Sequence, residues 1–301
     1  AEHYTAPRRL RQWEENPERG SYNHEERNVE GELDFWGGDL ESLTEKLGYM
    51  QDLGIEVLYL NPIFEAFTNH KYDTLDYFRV DPQYGTNQEL RALIQELHAR
   101  GMKIMLDGVF NHVGRRSEIF KRAQADPASL ERDFFTFDED FPHGYLSWRN
   151  AGNLPELQLE NPAVRAMLYE DEDSVVKTYL RDFDIDGWRL DVAPDIGPRY
   201  LSELTEKAHE TKPGCAVIGE CWNYPEEWLR VVDGILNMHT RKLILALVDN
   251  RLSVGATSRT LERMISDAGI EGILRSHLVL DNHDTPRLAR LVPDRRKRLL
   301  A

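Results

Sequence analysis

Carboxylate and histidine side chains recur directly after short apolar runs of this chain. Four such clusters are Asp107-Gly108-Val109-Phe110-Asn111-His112, Arg189-Leu190-Asp191, Gly219-Glu220 and Asp281-Asn282-His283-Asp284. Asp191 and Glu220 are 29 positions apart, about the length of one strand–helix unit. Because the carboxyl ends of parallel strands meet at one edge of a sheet, the spacing predicts that these acids converge.

Converging carboxylates repel one another unless they share a proton or face a positive charge that develops in the reaction. Retaining glycoside hydrolysis has this character, since it uses a nucleophilic carboxylate and a carboxylic acid about 5 to 5.5 Å apart. Arg189 lies two residues before Asp191, so both side chains are expected on the same side of their strand. We expect the Arg189 charge to keep Asp191 ionised while Glu220 stays protonated.

Two other interpretations of these clusters are weighed against catalysis. Asp107, His112, His283 and Asp284 mix imidazole and carboxylate as metal sites do, but no pair has a close ligand spacing such as H-x-x-x-H. No metal is therefore assigned. Taken singly, His112 and His283 are also explained as core histidines bonded to backbone groups. Their acidic neighbours favour a functional site.

The elements that must position these residues alternate between strands and helices. The clearest helix begins at the capping pair Thr86 and Glu89 and ends at Gly101. The alternation predicts a parallel sheet with helices outside it, either a closed (β/α) barrel or an open doubly wound sheet. Six apolar runs are predicted strands: Val57–Leu60, Lys103–Leu106, Gly187–Leu190, Ala216–Ile218, Gly234–Leu236 and His277–Leu280.

Composition limits the possible partners of the chain. The 53 acidic and 37 basic residues give a net charge of −16, which repels nucleic acid and anionic membrane surfaces. No apolar run is long enough to cross a bilayer, and no signal-peptide core is visible at the start. Cys215 and Cys221 are too far apart to pair on one strand, which slightly favours a reducing compartment. We expect a cytoplasmic protein.

Taken together, the four clusters resemble the signature regions of the α-amylase family of glycoside hydrolases. Phe35-Trp36-Gly37-Gly38-Asp39-Leu40, Asn69-His70-Lys71-Tyr72-Asp73-Thr74 and Leu154-Pro155-Glu156-Leu157 look most like its neopullulanase, cyclomaltodextrinase and maltogenic amylase branch. The resemblance covers roughly residues 35–290. It implies a (β/α)8 TIM barrel over 35–301 that is incomplete, because the first and last strands are not evident. A polar lead-in, 1–34, precedes the barrel, and a subdomain of about 113–160 is inserted after the third strand.

The resemblance also implies roles for individual residues. Asp191 would be the nucleophile, Glu220 the general acid/base, and Asp284 the residue that orients the sugar hydroxyls. The remaining predicted substrate-binding residues are Arg189, His112 and His283 around the reacting sugar, Tyr72 stacking on it, Asp107 supporting the site, and Trp222 stacking on the leaving-group sugar. The aromatic side chains of Trp36, Phe64 and Trp188 are expected to be core or wall instead.

The implied activity is hydrolysis of α-1,4 linkages in maltodextrins, cyclodextrins, pullulan or starch. An α-glucan transglycosylase or isomerase would use the same catalytic residues, and a catalytically silent relative would act as a binding subunit. The intact carboxylates favour an enzyme. No cofactor is required for this chemistry; structural calcium occurs in the family but is not assigned here. The partners implied are an α-glucan substrate and a second copy of the chain in a homodimer.

Overall fold

The computed structural model describes residues 38–298. The predicted lead-in and Phe35, Trp36 and Gly37 of the first branch motif lie outside the described residues. The chain divides into two compact units. Among the described residues, the first consists of 38–188 together with 207–215, and the second of 189–206 together with 216–298.

In the first unit, a parallel pair of strands packs with amphipathic helices. The elements before the insertion are α1 Leu40–Thr44, α2 Leu47–Asp52, β1 Val57–Leu60, β2 Phe64–Ala66, β3 Thr74–Val80, α3 Asn87–Ala99 and β4 Lys103–Gly108. β1 pairs with β4 in parallel, with Val57 opposite Lys103 and Leu60 opposite Leu106. This pairing confirms two of the predicted strands.

Helix α3 forms where the capping pair and the apolar spacing predict it. The Thr86 hydroxyl accepts a hydrogen bond from the Glu89 N–H at 3.2 Å, which satisfies one of the unpaired amides at the start of the helix. Gly101 has φ 74°, the left-handed conformation that ends helices. The buried face consists of Leu90, Leu93, Ile94 and Leu97, as predicted.

The antiparallel ribbon of β2 and β3 was not among the predicted strands. Its register is irregular, because Phe64 lies opposite Val80 but Glu65 lies opposite Asp76. Such bulged pairing disturbs the alternation of period two by which strands are recognised. The ribbon matters because its connection, residues 67–73, carries Tyr72.

The inserted segment has a small aromatic core of its own. It contains α4 Glu118–Ala125 and short 3₁₀ turns over Leu130–Phe134 and Trp148–Asn150. The ring of Phe120 lies 4.9 Å from that of Phe135 and 4.7 Å from that of Tyr145. The next elements in chain order are α5 Pro162–Arg165, α6 Val175–Arg181, β5 Gly187–Leu190, α7 Ala193–Ile196 and α8 Pro198–Thr211. The limits of the insertion as a subdomain stay a prediction.

The second unit is organised around β6 and β7. Its remaining elements are β6 Ala216–Cys221, β7 Gly234–Asn237, α9 Met238–Val248, α10 Val254–Ala268, α11 Ile270–Arg275, α12 Leu288–Leu291 and α13 Arg295–Arg298. β6 and β7 are parallel, with Ile218 opposite Gly234 and Glu220 opposite Leu236. These strands lie where the sequence predicts them.

The sixth predicted strand, His277–Leu280, is wrong. Only His277 forms a parallel bridge, to Leu236 of β7, and its N–H donates to the Ile235 carbonyl at 2.8 Å. The chain leaves the ladder immediately afterwards, and the Leu280 carbonyl instead accepts a hydrogen bond from the Arg241 guanidinium at 2.8 Å. An apolar run of four residues is therefore reduced to one bridge, with Leu278 exposed.

Candidate active site

In the second unit, the ends of β5 and β6 bring Arg189, Asp191 and Glu220 into direct contact. The Arg189 Nη1–H donates to Asp191 Oδ1 at 2.8 Å, and Nη2 lies 2.9 Å from Glu220 Oε2. The exposed fraction is 1% for the Arg189 side chain, 10% for Asp191 and 5% for Glu220. One buried cation therefore holds two buried carboxylates.

Arg189 contacts Glu220 as well as Asp191, and the sequence analysis did not predict this second contact. The planar guanidinium presents several N–H groups in a fork, so it contacts carboxylates on both strands at once. Its charge acts on Glu220 as closely as on Asp191. Arg189 therefore fixes the two acids relative to each other and does not by itself distinguish an acid from a nucleophile.

Besides this ion pair, Glu220 accepts two hydrogen bonds. The Val192 N–H donates to Oε2 at 3.1 Å, and the Trp222 indole N–H donates to Oε1 at 2.9 Å. Both oxygens of Glu220 are thus oriented by donors on two sides. The Trp222 carbonyl in turn accepts from Lys242 Nζ at 3.1 Å, which ties the segment after β6 to α9. The predicted stacking of Trp222 on a leaving-group sugar stays a prediction.

Asp284 and His283 lie in an exposed loop of the second unit. The Asp284 carboxylate is paired with His283 Nε2 at 3.2 Å, its recorded side-chain partner among residues 38–298. The Asp284 N–H donates to the Asn282 side chain at 3.1 Å. The structure therefore does not bring Asp284 into contact with Asp191 or Glu220. The reason is that this loop follows a single bridge at His277 and not the full strand that the sequence predicts.

In the first unit, the end of β4 brings Asp107 together with Tyr72. Asp107 is 1% exposed, and its Oδ2 accepts from the Tyr72 hydroxyl at 3.0 Å. The Tyr59 hydroxyl donates to the same oxygen at 2.6 Å. Tyr59 was missed by the sequence analysis, although a tyrosine within an otherwise aliphatic strand is a signal that one strand end is polar.

The connection that carries Tyr72 is anchored by a buried ion pair. Lys71 Nζ lies 2.8 Å from Asp81 Oδ2 and donates to the Gln83 side chain at 2.5 Å. Its side chain is fully buried, and its φ of 65° is left-handed. On the other side of Tyr72, the Asp73 carboxylate accepts from the Thr68 N–H at 3.2 Å. The backbone on either side of Tyr72 is thus fixed by the contacts of Lys71 and Asp73.

His112 is buried against Tyr72, which is the environment that the core-histidine interpretation predicts. Its Nε2 lies 3.2 Å from the Tyr72 carbonyl, which can only accept, so Nε2 carries the proton. Burial lowers the pKa of His112 to about 4, partly offset by this hydrogen bond, while nearby His70 lowers it further. His112 is therefore neutral at neutral pH. The other histidine, His283, is not a core residue.

Trp148, in the insertion, is a neighbour of His112 that the sequence analysis missed. The two rings stack with centroids 5.7 Å apart and an interplanar angle of 29°. Arg149 and Asn150, which follow it, have φ values of 48° and 60°. Consecutive left-handed residues without glycine are uncommon and often mark functional turns. Two of the aromatic side chains expected in the core or the wall, Phe64 and Trp188, lie within the described residues. Both are completely buried, as expected.

The part of the chain that the structure describes contains no group of three or more histidine, cysteine, aspartate or glutamate side chains placed to hold a metal ion. Among those same residues, no helix is both long and apolar enough to cross a membrane.

Comparison with known proteins identifies relatives of this arrangement. A family model described as the alpha amylase catalytic domain matches residues 14–301. The chain is 36% identical over 265 residues to an intracellular maltogenic amylase of Bacillus subtilis, covering 86% of this chain and 44% of that protein. It is 34% identical over 264 residues to a cyclomaltodextrinase of Geobacillus thermopakistaniensis, covering 84% of this chain and 44% of that protein.

A solved structure supports the same relationship. The cyclic α-maltosyl-(1→6)-maltose hydrolase of Arthrobacter globiformis superposes with a TM-score of 0.80 at 31% identity, over 86% of this chain and 60% of that one. These matches confirm the predicted α-amylase-type (β/α)8 fold in incomplete form over the open doubly wound alternative. The chain spans about half the length of the curated relatives it matches.

Proposed function

This chain belongs to the α-amylase family, and from that premise we propose that it is a retaining glycoside hydrolase acting on α-1,4 linkages of α-glucans. The observation that carries the proposal is the Arg189 contact to both Asp191 and Glu220. A carboxylate pair held by one cation supports the proposal, because a double displacement uses two carboxyl groups. The chemistry uses only protein groups and water.

In the proposed mechanism, an Asp191 oxygen attacks the anomeric carbon while Glu220 donates its proton to the glycosidic oxygen. The C–O bond breaks, its electron pair stays on the leaving sugar, and a covalent glycosyl-Asp191 ester forms. Glu220, now a carboxylate, then takes a proton from water, whose oxygen attacks the same carbon and releases Asp191. Retention of the anomeric configuration follows from the two inversions.

The remaining site residues are proposed to bind the sugars. We assign stacking on the reacting sugar to Tyr72, whose hydroxyl is fixed by Asp107. We assign a neutral hydrogen-bonding role to His112 and hydroxyl binding to Arg189, His283 and Asp284, the last two being exposed. Trp222 is proposed to meet the leaving-group sugar.

The substrates are proposed from the printed names of relatives. These include cyclomaltodextrinases, maltogenic amylases and a neopullulanase of Thermoactinomyces vulgaris, which is 34% identical over 267 residues. Cyclodextrins, maltodextrins, pullulan and starch are accordingly the substrates to test. The Bacillus subtilis relative is named intracellular, and we propose the same location for this protein. Homodimer formation is part of the proposal.

The test is hydrolysis of β-cyclodextrin, pullulan and soluble starch by the chain and by its Asp191→Asn variant, with reducing sugars and product sizes measured. We expect the variant to lose activity on every substrate. Asp249→Asn, on an exposed aspartate after α9, is the matched control and should keep it. Proton NMR of the first product should show the α anomer. A β-anomeric product, or full activity of Asp191→Asn, would refute the mechanism, and products longer than the substrate would indicate transglycosylation.

A further inference from the structure

Val192, the residue after Asp191, has an unusual backbone conformation. Its φ of 41° and ψ of 46° are left-handed, and it is the only β-branched residue with positive φ among residues 38–298. Branched side chains avoid this region because the Cγ atoms and the backbone collide. A valine there is retained only where its surroundings over-determine the turn.

Contacts on both sides of Val192 hold this turn in place. Its carbonyl accepts from the Asp195 N–H at 2.8 Å, which begins α7. The next residue, Ala193, packs so closely on β6 that a Cβ at Gly219 would lie 3.0 Å from the Ala193 methyl carbon. The turn is therefore pressed against the strand position that immediately precedes Glu220.

The Val192 amide, at the start of the left-handed turn, bonds to a side chain and not to a neighbouring strand. In a continuing strand the N–H would lie in the sheet and pair with a neighbouring carbonyl. Here the chain turns instead, and the N–H donates to Glu220 Oε2 at 3.1 Å. The same carboxylate oxygen is the one that Arg189 approaches. One short segment, 189–192, thus contributes both the contact to Asp191 and two contacts to Glu220.

We propose that the backbone amide of Val192 is a positioning group for the general acid, an inference that rests on the proposed function of Glu220. When Glu220 passes its proton to the glycosidic oxygen, the C–O electron pair goes to the leaving sugar and negative charge remains on the Glu220 carboxylate. The amide already points at one oxygen of that carboxylate, so it stabilises the charge as it forms. Because the donor is a backbone N–H, it needs no additional polar side chain beside the acid.

The test replaces the amide by an ester, using the α-hydroxy analogue of valine at position 192, which removes the N–H and keeps the side chain. Two substrates are compared by kcat/KM: maltotriose, whose sugar leaving group needs a proton, and α-maltosyl fluoride, whose fluoride leaves with little proton assistance. We expect kcat/KM to fall about tenfold on maltotriose, the usual effect of losing one hydrogen bond to a charged group. On the fluoride the change should be less than about twofold.

Val254 offers a matched control, because it is a valine in the same unit whose amide, in the first turn of α10, has no recorded hydrogen bond among the described residues. The same ester there should leave both substrates unaffected. An equal fall on both substrates at position 192 would show a merely structural role and overturn the proposal. So would unchanged kcat/KM on maltotriose.

A second measurement tests the hydrogen bond between the Val192 N–H and Glu220 independently of the proposed function. Urea unfolding is measured for four proteins that together form a double-mutant cycle: the unmodified chain, the Val192 ester, Glu220→Leu, and the protein that carries both changes. We expect the ester to lower the unfolding midpoint in the original chain and to have a smaller effect beside Glu220→Leu. Equal effects in both backgrounds would overturn the amide–carboxylate contact. A chain that hydrolyses neither substrate but shows the coupling would refute only the glycosidase assignment.

Discussion

Replacing Arg189 by methionine tests the central contact of the candidate site. The substitution keeps an unbranched apolar stem but leaves Asp191 and Glu220 buried without their shared cation. Removing one partner of a buried ion pair costs about 3–5 kcal/mol. At 1% exposure, Arg189 has almost no water to replace it. We therefore expect the free energy of unfolding of Arg189→Met to fall by about 4 kcal/mol, and glucan hydrolysis to be lost.

The assay is urea unfolding followed by intrinsic fluorescence, with circular dichroism as a second probe to establish a two-state transition. Arg189→Lys separates charge from shape. A single ammonium cannot span both acids as a guanidinium does, so we expect a loss of about 2 kcal/mol, the value of one charged hydrogen bond. Adding Asp191→Asn to Arg189→Met removes one unpaired charge and should restore part of the stability.

Arg199 provides the control for this series. It is 70% exposed and paired with Glu203 four residues along α8, and such surface pairs contribute little. Arg199→Met should leave the unfolding midpoint almost unchanged. If Arg189→Met is no more destabilising than Arg199→Met, Arg189 does not hold Asp191 and Glu220 together, and the reasoning fails.

Three further predictions concern the first unit. Because the pKa of His112 is lowered in the folded chain, the unfolded chain binds a proton first, and the free energy of unfolding falls as the pH drops from 6.5 to about 4. His112→Gln should remove about 3 kcal/mol of this loss, measured by urea unfolding at several pH values. Lys71→Met leaves Asp81 buried and unpaired, and should cost about 3–5 kcal/mol in urea unfolding and raise KM for maltodextrins by releasing the Tyr72 connection. Gly114→Ala places a Cβ against the Asp73 carbonyl oxygen, closer than the 3.0 Å that real Cβ contacts keep, and should lower the unfolding midpoint measured by circular dichroism.

Each of these predictions has a control and a contrary outcome. An unaltered acid-side slope in His112→Gln would show that His112 titrates normally. Asp81→Asn added to Lys71→Met should recover stability, and additive losses would exclude the ion pair. Gly48→Ala, in helix α2, meets nothing closer than 3.8 Å and should stabilise the chain slightly, whereas equal effects at both glycines would contradict the packing at Gly114.

Much of the fold was accessible to sequence reasoning because local and tertiary preferences agree. The apolar runs at β1 and β4 are short, uninterrupted and bounded by turn residues, and helix α3 combines a cap, an apolar face and a terminal glycine. The predicted strand at His277–Leu280 was wrong because a short apolar run does not reveal how far it pairs with its neighbour, and only His277 forms a bridge. The β2–β3 ribbon escaped because its bulges break the alternation.

For the site, residue type and spacing predicted which groups meet but not how they meet. The pairing of Arg189 with Asp191 follows from strand periodicity, whereas its second contact to Glu220 depends on the orientation of a planar fork across two strands. Tyr59 and Trp148 come from segments distant in sequence from Asp107 and His112, so no local pattern associates them. The left-handed turn at Val192 contradicts the intrinsic preference of valine.

The aromatic core of the insertion has an evolutionary consequence. Because Phe120, Phe135 and Tyr145 pack on one another, the segment that carries Trp148 holds its shape through its own contacts. Substitutions or changes of length within it can alter the surface that faces His112 while the pairing of β1 with β4 is preserved. Under the proposed function, selection could therefore change the surface beside His112 without rebuilding the scaffold.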